Sequence, residues 1–143
     1  MSRFFLCYFE TTRRCNLACP YCMSRPLDGP QGRELDTGEC KSLVLDEIAK
    51  ISSNAAVSFS GGEHLLRPDA YELLAHAASL GIWSFINTNG LLLAETDAVS
   101  RALEATGGKL VFVLPPRDEF TLHYYNPETK AAGTKRVLLM RGD

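Results

Sequence analysis

The chain has 143 residues, 45% of them hydrophobic and 22% charged, with a formal net charge of −2. That length and composition suit one soluble globular unit with a proper core. The charge balance excludes a broad basic face for nucleic acid, and adjacent Arg13 and Arg14 do not make a phosphate-binding stripe.

The apolar run Phe4 to Phe9 is too short for a secretory leader, and no stretch approaches the roughly 20 apolar residues of a membrane helix. A cytoplasmic protein with no membrane contact is expected. Phe4 to Phe9, short and rich in aromatics, instead predicts a first buried strand. Pro20, Pro26, Gly29, Pro30 and Gly32 make the next stretch a loop. Asp36 is placed to cap a helix with Glu39 at N3, close to a capping box, and Leu43, Val44, Ile48 and Ile51 supply its apolar face. Ala56 to Phe59 predicts a second strand, ended by Ser60-Gly61-Gly62. Pro68 and Asp69 open a second helix, with Leu73, Leu74, Ala77, Ala78 and Leu80 as its inner stripe and Gly81 as its cap. A third strand is expected over Ile82 to Ile86, stopped by Asn87-Thr88-Asn89-Gly90. A third helix follows over Glu95 to Ala105, with Val99, Ala102 and Leu103 inward. The fourth strand, Leu110 to Leu114, is cut off by Pro115 and Pro116.

Strands joined by helices of this length imply an α/β fold, a parallel sheet of about four strands with right-handed crossovers. A closed barrel of eight such units takes about 250 residues. The expectation is therefore a partial (β/α) TIM-like barrel over residues 1–116, with residues 117–143 as a tail that can start the next strand–helix unit. An open sheet exposes its last strand, and a fragment of a longer product is expected ahead of completion by a second chain or a degenerate relic.

Five cysteines are present, and Cys15, Cys19 and Cys22 crowd into RRCNLACPYC on the loop after the first strand. An odd, clustered set argues against a disulfide framework and for metal. Three thiolates on one loop can converge on a single iron–sulfur cluster and leave one iron free for an outside ligand, where four would make a pure electron carrier. A structural zinc site is the competing reading, with Cys7, Cys40 or a histidine as fourth ligand, although none of these has a partner at the usual spacing. Three unliganded thiols are the remaining alternative. His64, His76 and His123 share no metal spacing, Cys7 is expected to pack beside Phe5 and Phe9, and Cys40 falls early in the first helix.

Gly61-Gly62-Glu63 directly follows the second strand, at the sheet edge where barrels of this kind bind ligands. Two glycines let a main chain approach a ligand closely, and Glu63 adds a carboxylate; the plain alternative is a strand-to-helix turn. Asn89-Gly90 likewise reads as a turn.

CNLACPYC resembles the Cys-x-x-x-Cys-x-x-Cys signature of the radical SAM superfamily, and SFSGGEHLLRPD resembles its GGE motif. The two in this order, each after a strand, identify the chain as a member. The resemblance implies that Cys15, Cys19 and Cys22 hold a [4Fe-4S] cluster whose open iron takes S-adenosylmethionine (SAM). It places Tyr21 beside the adenine and lets Gly61, Gly62 and Glu63 line the methionine. Thr88-Asn89-Gly90 resembles the TNG turn of subfamilies with molybdopterin-precursor and peptide-modifying members, where Thr88 would hydrogen-bond SAM. The implied activity is that of an oxidoreductase or maturase core: SAM is cleaved reductively and a 5′-deoxyadenosyl radical takes hydrogen from a substrate. A reducing partner such as flavodoxin or ferredoxin is implied, and a peptide or cofactor precursor as substrate. The resemblance is firm from Phe4 to Gly90 and thins after Leu110; Leu114-Pro115-Pro116-Arg117 stands where relatives carry a Ser-Leu-Asp-Gly-like run. An iron–sulfur module without SAM turnover, and a structural zinc domain, remain the alternatives.

Overall fold

The computed structural model describes residues 4–19, 22, 32–94, 96–114, 119–126 and 131–138. Strands β1 (Phe5–Thr12), β2 (Ala55–Gly61), β3 (Trp83–Asn87) and β4 (Leu110–Val113) form one sheet in chain order, every neighbouring pair parallel. This is the expected α/β architecture. The first strand runs three residues past its expected end at Phe9, because β2 pairs along Glu10 to Thr12, with an irregularity between Glu10 and Thr12. Polar Thr11 and Thr12 are buried there, with Thr11 Oγ1 bonded to His64 Nδ1 and Thr12 Oγ1 to Glu34 Oε1.

Helix α1 (Thr37–Glu39) starts at the expected capping box: the Asp36 carboxylate accepts from Glu39 N at 2.8 Å and the Glu39 carboxylate from Asp36 N at 2.9 Å. It runs through a π-helical segment, Cys40–Leu45, into α2 (Asp46–Ile51). The wider π turn rotates the inward face. Cys40, Leu45 and Ile48 are buried, whereas Leu43 and Ile51, read from sequence as inward, are exposed. Helix α3 (Ala70–Ser79) buries Ala70, Leu73, Leu74 and Ala77. It ends on Gly81 at φ +78°, with Gly81 N donating to Ala78 O and Ile82 N to Ala77 O, the paired closing bonds that a left-handed glycine permits. Helix α4 (Thr96–Thr106) packs on α3, and the Arg101 guanidinium lies 4.0 Å from the Tyr71 ring centre.

The helices cover one face of the sheet. Phe9, Val57, Phe59, Ile86 and Phe112 meet Leu45, Leu73, Leu74 and Ala77 in a single core. Strand residues that alternate with these point to the other face, where Leu6, Tyr8, Trp83 and Val113 stay exposed. Within the 117–143 tail, read from sequence as able to start the next strand–helix unit, β5 (Glu119–Asn126) and β6 (Ala131–Leu138) pair antiparallel as a separate two-stranded sheet. A four-residue link between them suffices for an antiparallel return but not for a parallel crossover. Among the described residues no helix is long and apolar enough to cross a membrane.

Candidate functional site

All three motifs sit at the C-terminal edge of the parallel sheet: the cysteine loop after β1, Gly61-Gly62-Glu63 after β2, and Thr88-Asn89-Gly90 after β3. Their side-by-side placement follows from the strand order. What joins them is hydrogen bonding between the loops. Gly62 N donates to Thr12 O at 2.7 Å and Glu63 N to Arg14 O at 2.8 Å. A side chain at either glycine would be driven into this seam. A Cβ on Gly61, which has φ +116°, would fall 2.1 Å from Thr12 O, and one on Gly62 would fall 2.1 Å from Arg14 O. Both glycines thus admit a close approach of backbone to backbone that holds the cysteine loop.

Glu63 is fully buried. Its Oε2 accepts from Thr88 Oγ1 at 2.9 Å and from Asn89 N at 2.8 Å, and its Oε1 from Leu65 N at 3.3 Å. A buried carboxylate needs several donors, and here they come from the third strand's turn and from the backbone that follows. Thr88 is buried too, with its hydroxyl also accepting from Gly90 N at 3.1 Å. The side chains of Glu63 and Thr88 are therefore directed at each other.

The cysteines lie where the motif spacing puts them, on one loop. Cys15 is half-buried, Cys19 and Cys22 are exposed, and Cys22 N donates to Cys19 O at 3.2 Å. Tyr21 lies outside the described residues. No group of three metal-binding side chains is gathered among the described residues; thiolates draw together around a cation rather than ahead of it. The donor set nevertheless fits an iron–sulfur cluster. All three thiols are free, and the Cys15 sulfur already receives Leu17 N–H at 3.4 Å and Asn89 Nδ2–H at 3.8 Å, an environment suited to an anionic sulfur.

A second set of polar residues, not singled out from sequence, grips both ends of the cysteine loop. On the incoming side, Thr12 Oγ1 donates to Glu34 Oε1 at 2.6 Å and Arg13 N to the same oxygen at 3.2 Å, while Arg14 reaches Glu34 Oε2 at 3.4 Å. Burial works against the Glu34 carboxylate, but these bonds and the charges of Arg14 and Arg67 outweigh it and hold its pKa below the usual range. Buried Arg67 donates to Thr11 O at 2.7 Å and to Leu35 O at 3.1 Å, so one guanidinium spans the two stems of the loop. Asp69 holds that guanidinium in a fork at 2.8 and 2.7 Å and also accepts from Thr37 Oγ1 at 2.7 Å. The Arg67 hydrogen bond brings the Asp69 pKa to about 2. A sequence signal existed for this clamp: an arginine set between two leucines and the Pro-Asp that opens a helix.

His64 is fully buried, stacked 4.8 Å from the Phe59 ring and bonded through Nδ1 to Thr11 Oγ1 at 2.9 Å. Burial, with Arg67 nearby, lowers its pKa to about 4, so it is neutral and structural. His76 pairs with Asp46 at 2.7 Å, away from the three motifs. Burial raises the thiols of Cys7 and Cys40, and Cys40 packs into the core, so neither joins the cysteine loop. A cavity of about 300 Å³ opens beside the loop stem, walled by Glu10, Arg13, Arg33 and Glu34. None of Cys15, Glu63 or Thr88 lines it.

The sequence matches the radical SAM superfamily over residues 9–132. It is 37% identical over 91 residues to an AdoMet-dependent heme synthase of Oleidesulfovibrio alaskensis, covering 64% of this chain and 23% of that protein. It is 44% identical over 98 residues to a PqqA peptide cyclase of Xanthomonas campestris, covering 68% and 25%. The chain thus spans about a quarter of the length of these curated relatives. Among solved structures, native anSMEcpe with bound AdoMet superposes with a TM-score of 0.58 at 21% identity, over 78% of this chain and 32% of that one, a likeness of fold. With the family match running along most of its length and the paired motifs meeting at one sheet edge, the chain belongs to the radical SAM superfamily, a family of enzymes whose cofactors are a [4Fe-4S] cluster and SAM.

Proposed function

We propose that residues 1–116 are the N-terminal part of a radical SAM core in which Cys15, Cys19 and Cys22 hold the cluster. Tyr21, Gly61, Gly62, Glu63 and Thr88 form the SAM side of the site. The observation that carries this reading is the seam of hydrogen bonds that ties the cysteine loop to the turns after β2 and β3. Such a seam sets the cysteines beside the surface on which a cofactor bound to the open iron would rest. When bound, the cluster and SAM together supply a 5′-deoxyadenosyl radical by one-electron reductive cleavage, for hydrogen abstraction from a substrate.

The chain's own part is positioning. Gly61 and Gly62 admit the loop backbone, Glu63 orients the Thr88–Asn89 turn, and Arg67 with Glu34 fixes the loop's two stems. Within this reading Glu63 and Thr88 act on the cofactor chiefly through the shape of the turn, since their side-chain atoms bond each other. A flavodoxin- or ferredoxin-type protein would deliver the electron. The named relatives, a peptide cyclase and a heme synthase, favour a peptide or a cofactor precursor as substrate. Five free cysteines favour a reducing compartment, the cytoplasm.

The test is EPR of the anaerobically reconstituted, dithionite-reduced chain with and without SAM. A [4Fe-4S]⁺ signal that shifts on adding SAM is expected, and a signal indifferent to SAM would sink the SAM part of the reading. A second reading, a cluster-binding module without turnover, is favoured by the inward-turned, fully satisfied Glu63. It predicts the cluster signal with no 5′-deoxyadenosine formed.

A further inference from the structure

We propose that Asn89 is a positioning residue for Cys15, one that stabilises the reduced cluster by donating Nδ2–H to the cysteine sulfur. The inference rests on the assignment of Cys15 as a cluster ligand and adds a role that the motif itself does not assign. The Asn89 amide is pinned at three points. Its backbone N donates to the buried Glu63 Oε2 at 2.8 Å. Its Oδ1 accepts from Leu91 N at 3.0 Å, which fixes which way the amide faces. Nδ2 is thereby turned to the cysteine loop, where its two hydrogens reach Asn16 Oδ1 at 2.7 Å and Cys15 Sγ at 3.8 Å. Only an amide combines the acceptor that Leu91 requires with two donors on the opposite side.

The effect on the cluster follows from charge. Reduction by one electron places more negative charge on the sulfurs, so an N–H aimed at a ligand sulfur favours the reduced form and raises the potential. Leu17 N–H supplies one such bond from within the loop. Asn89 supplies another from the turn after β3, 74 residues away in sequence. Glu63 is the intermediary: its buried carboxylate holds the turn from which Asn89 reaches across. On this reading the second and third motifs bear on the first cysteine whether or not SAM is present.

The experiment compares the reconstituted chain with its Asn89→Leu, Asn89→Asp and Asn16→Ala variants by iron content, far-UV circular dichroism and EPR-monitored redox titration. Loss of the donor is expected to lower the ratio of reduced to oxidised cluster at a fixed potential by about threefold to tenfold, tenfold being about 59 mV for a one-electron couple. Asn89→Asp is expected to move it further than Asn89→Leu, because it also adds a negative charge. Asn16→Ala, which leaves Nδ2 to the sulfur, is expected to show no fall. Midpoints and EPR line shapes in both Asn89 variants equal to those of the unsubstituted chain would overturn the proposal. If both variants fold but take up no iron, positioning of Cys15 is upheld in its stronger form. If both lose their fold, Asn89 is structural and the proposal fails. An unsubstituted chain that holds no cluster would instead refute the ligand assignment, an outcome separate from all of these.

Discussion

Gly62 has no room for a methyl group, because its Cβ position lies 2.1 Å from the Arg14 carbonyl oxygen. Relief would require the backbone of the cysteine loop to move, since the obstacle is main chain and not a flexible side chain. Gly62→Ala is therefore expected to lower iron content after reconstitution well below that of the unsubstituted chain, measured as iron per chain. It is also expected to destabilise the fold by about 1–3 kcal/mol, the range for overpacking in a tight interior. Glu63 offers a chemically finer test. Its two oxygens take three N–H or O–H donors, so Glu63→Gln sets an amide NH₂ against a donor in either orientation. The expected cost is about 1–3 kcal/mol, read from urea unfolding midpoints, with the Thr88–Asn89 turn the first to loosen in amide exchange.

Between elements, the clamp of Arg67 on β1, Leu35 and Asp69 makes stability depend on pH. The Asp69 pKa lies at about 2 in the fold, against an ordinary 3.8. Its contribution, roughly 2 kcal/mol, is present above about pH 4 and is lost as pH falls towards 2. His64 acts over a higher window. Its pKa is lowered from 6.5 to about 4, by burial first and by Arg67 next, so the unfolded chain takes up the proton before the folded one. Stability on this account is complete above about pH 6.5 and falls by roughly 3 kcal/mol as pH drops to 4. Urea midpoints from pH 7 to pH 4 will show the fall, and His64→Asn, which cannot take up a proton, is expected to flatten it. Arg67→Lys keeps the charge but loses the fork that spans both stems of the loop. It is expected to cost about 2–4 kcal/mol, and limited proteolysis between Thr12 and Glu34 should accelerate.

At the scale of the whole molecule, helices among the described residues cover one face of the sheet, whereas parallel sheets are ordinarily covered on both. Leu6, Tyr8 and Trp83 stand exposed on the other face, with Trp83 at 41%. For the 143-residue chain by itself, the expected outcome is binding of a hydrophobic dye and ready quenching of Trp83 fluorescence by acrylamide. Leu6→Lys combined with Tyr8→Lys should reduce the dye signal while changing the unfolding free energy by no more than about 0.5 kcal/mol, as befits exposed positions.

What could be read from sequence was what short-range physics controls. The alternation of apolar runs and caps marked the four strands. The Asp36–Glu39 box and the Gly81 stop marked helix ends, and the spacing of three cysteines marked the loop on which the proposed cluster ligands sit. The inner face of the first helix was misread, because a π-helical segment shifts its phase by a fraction of a turn that no composition announces. The site's internal wiring was also out of reach. Glu63 binds Asn89 across 26 positions, Arg67 binds Thr11 across 56, and Asn89 meets Cys15 across 74. Residues so far apart become neighbours only when the strands stack in parallel order and bring their C-terminal ends to one edge. Local propensity chose the residue types for each turn, and the tertiary fold alone decided that the carboxylate of the second turn would hold the third turn against the first cysteine.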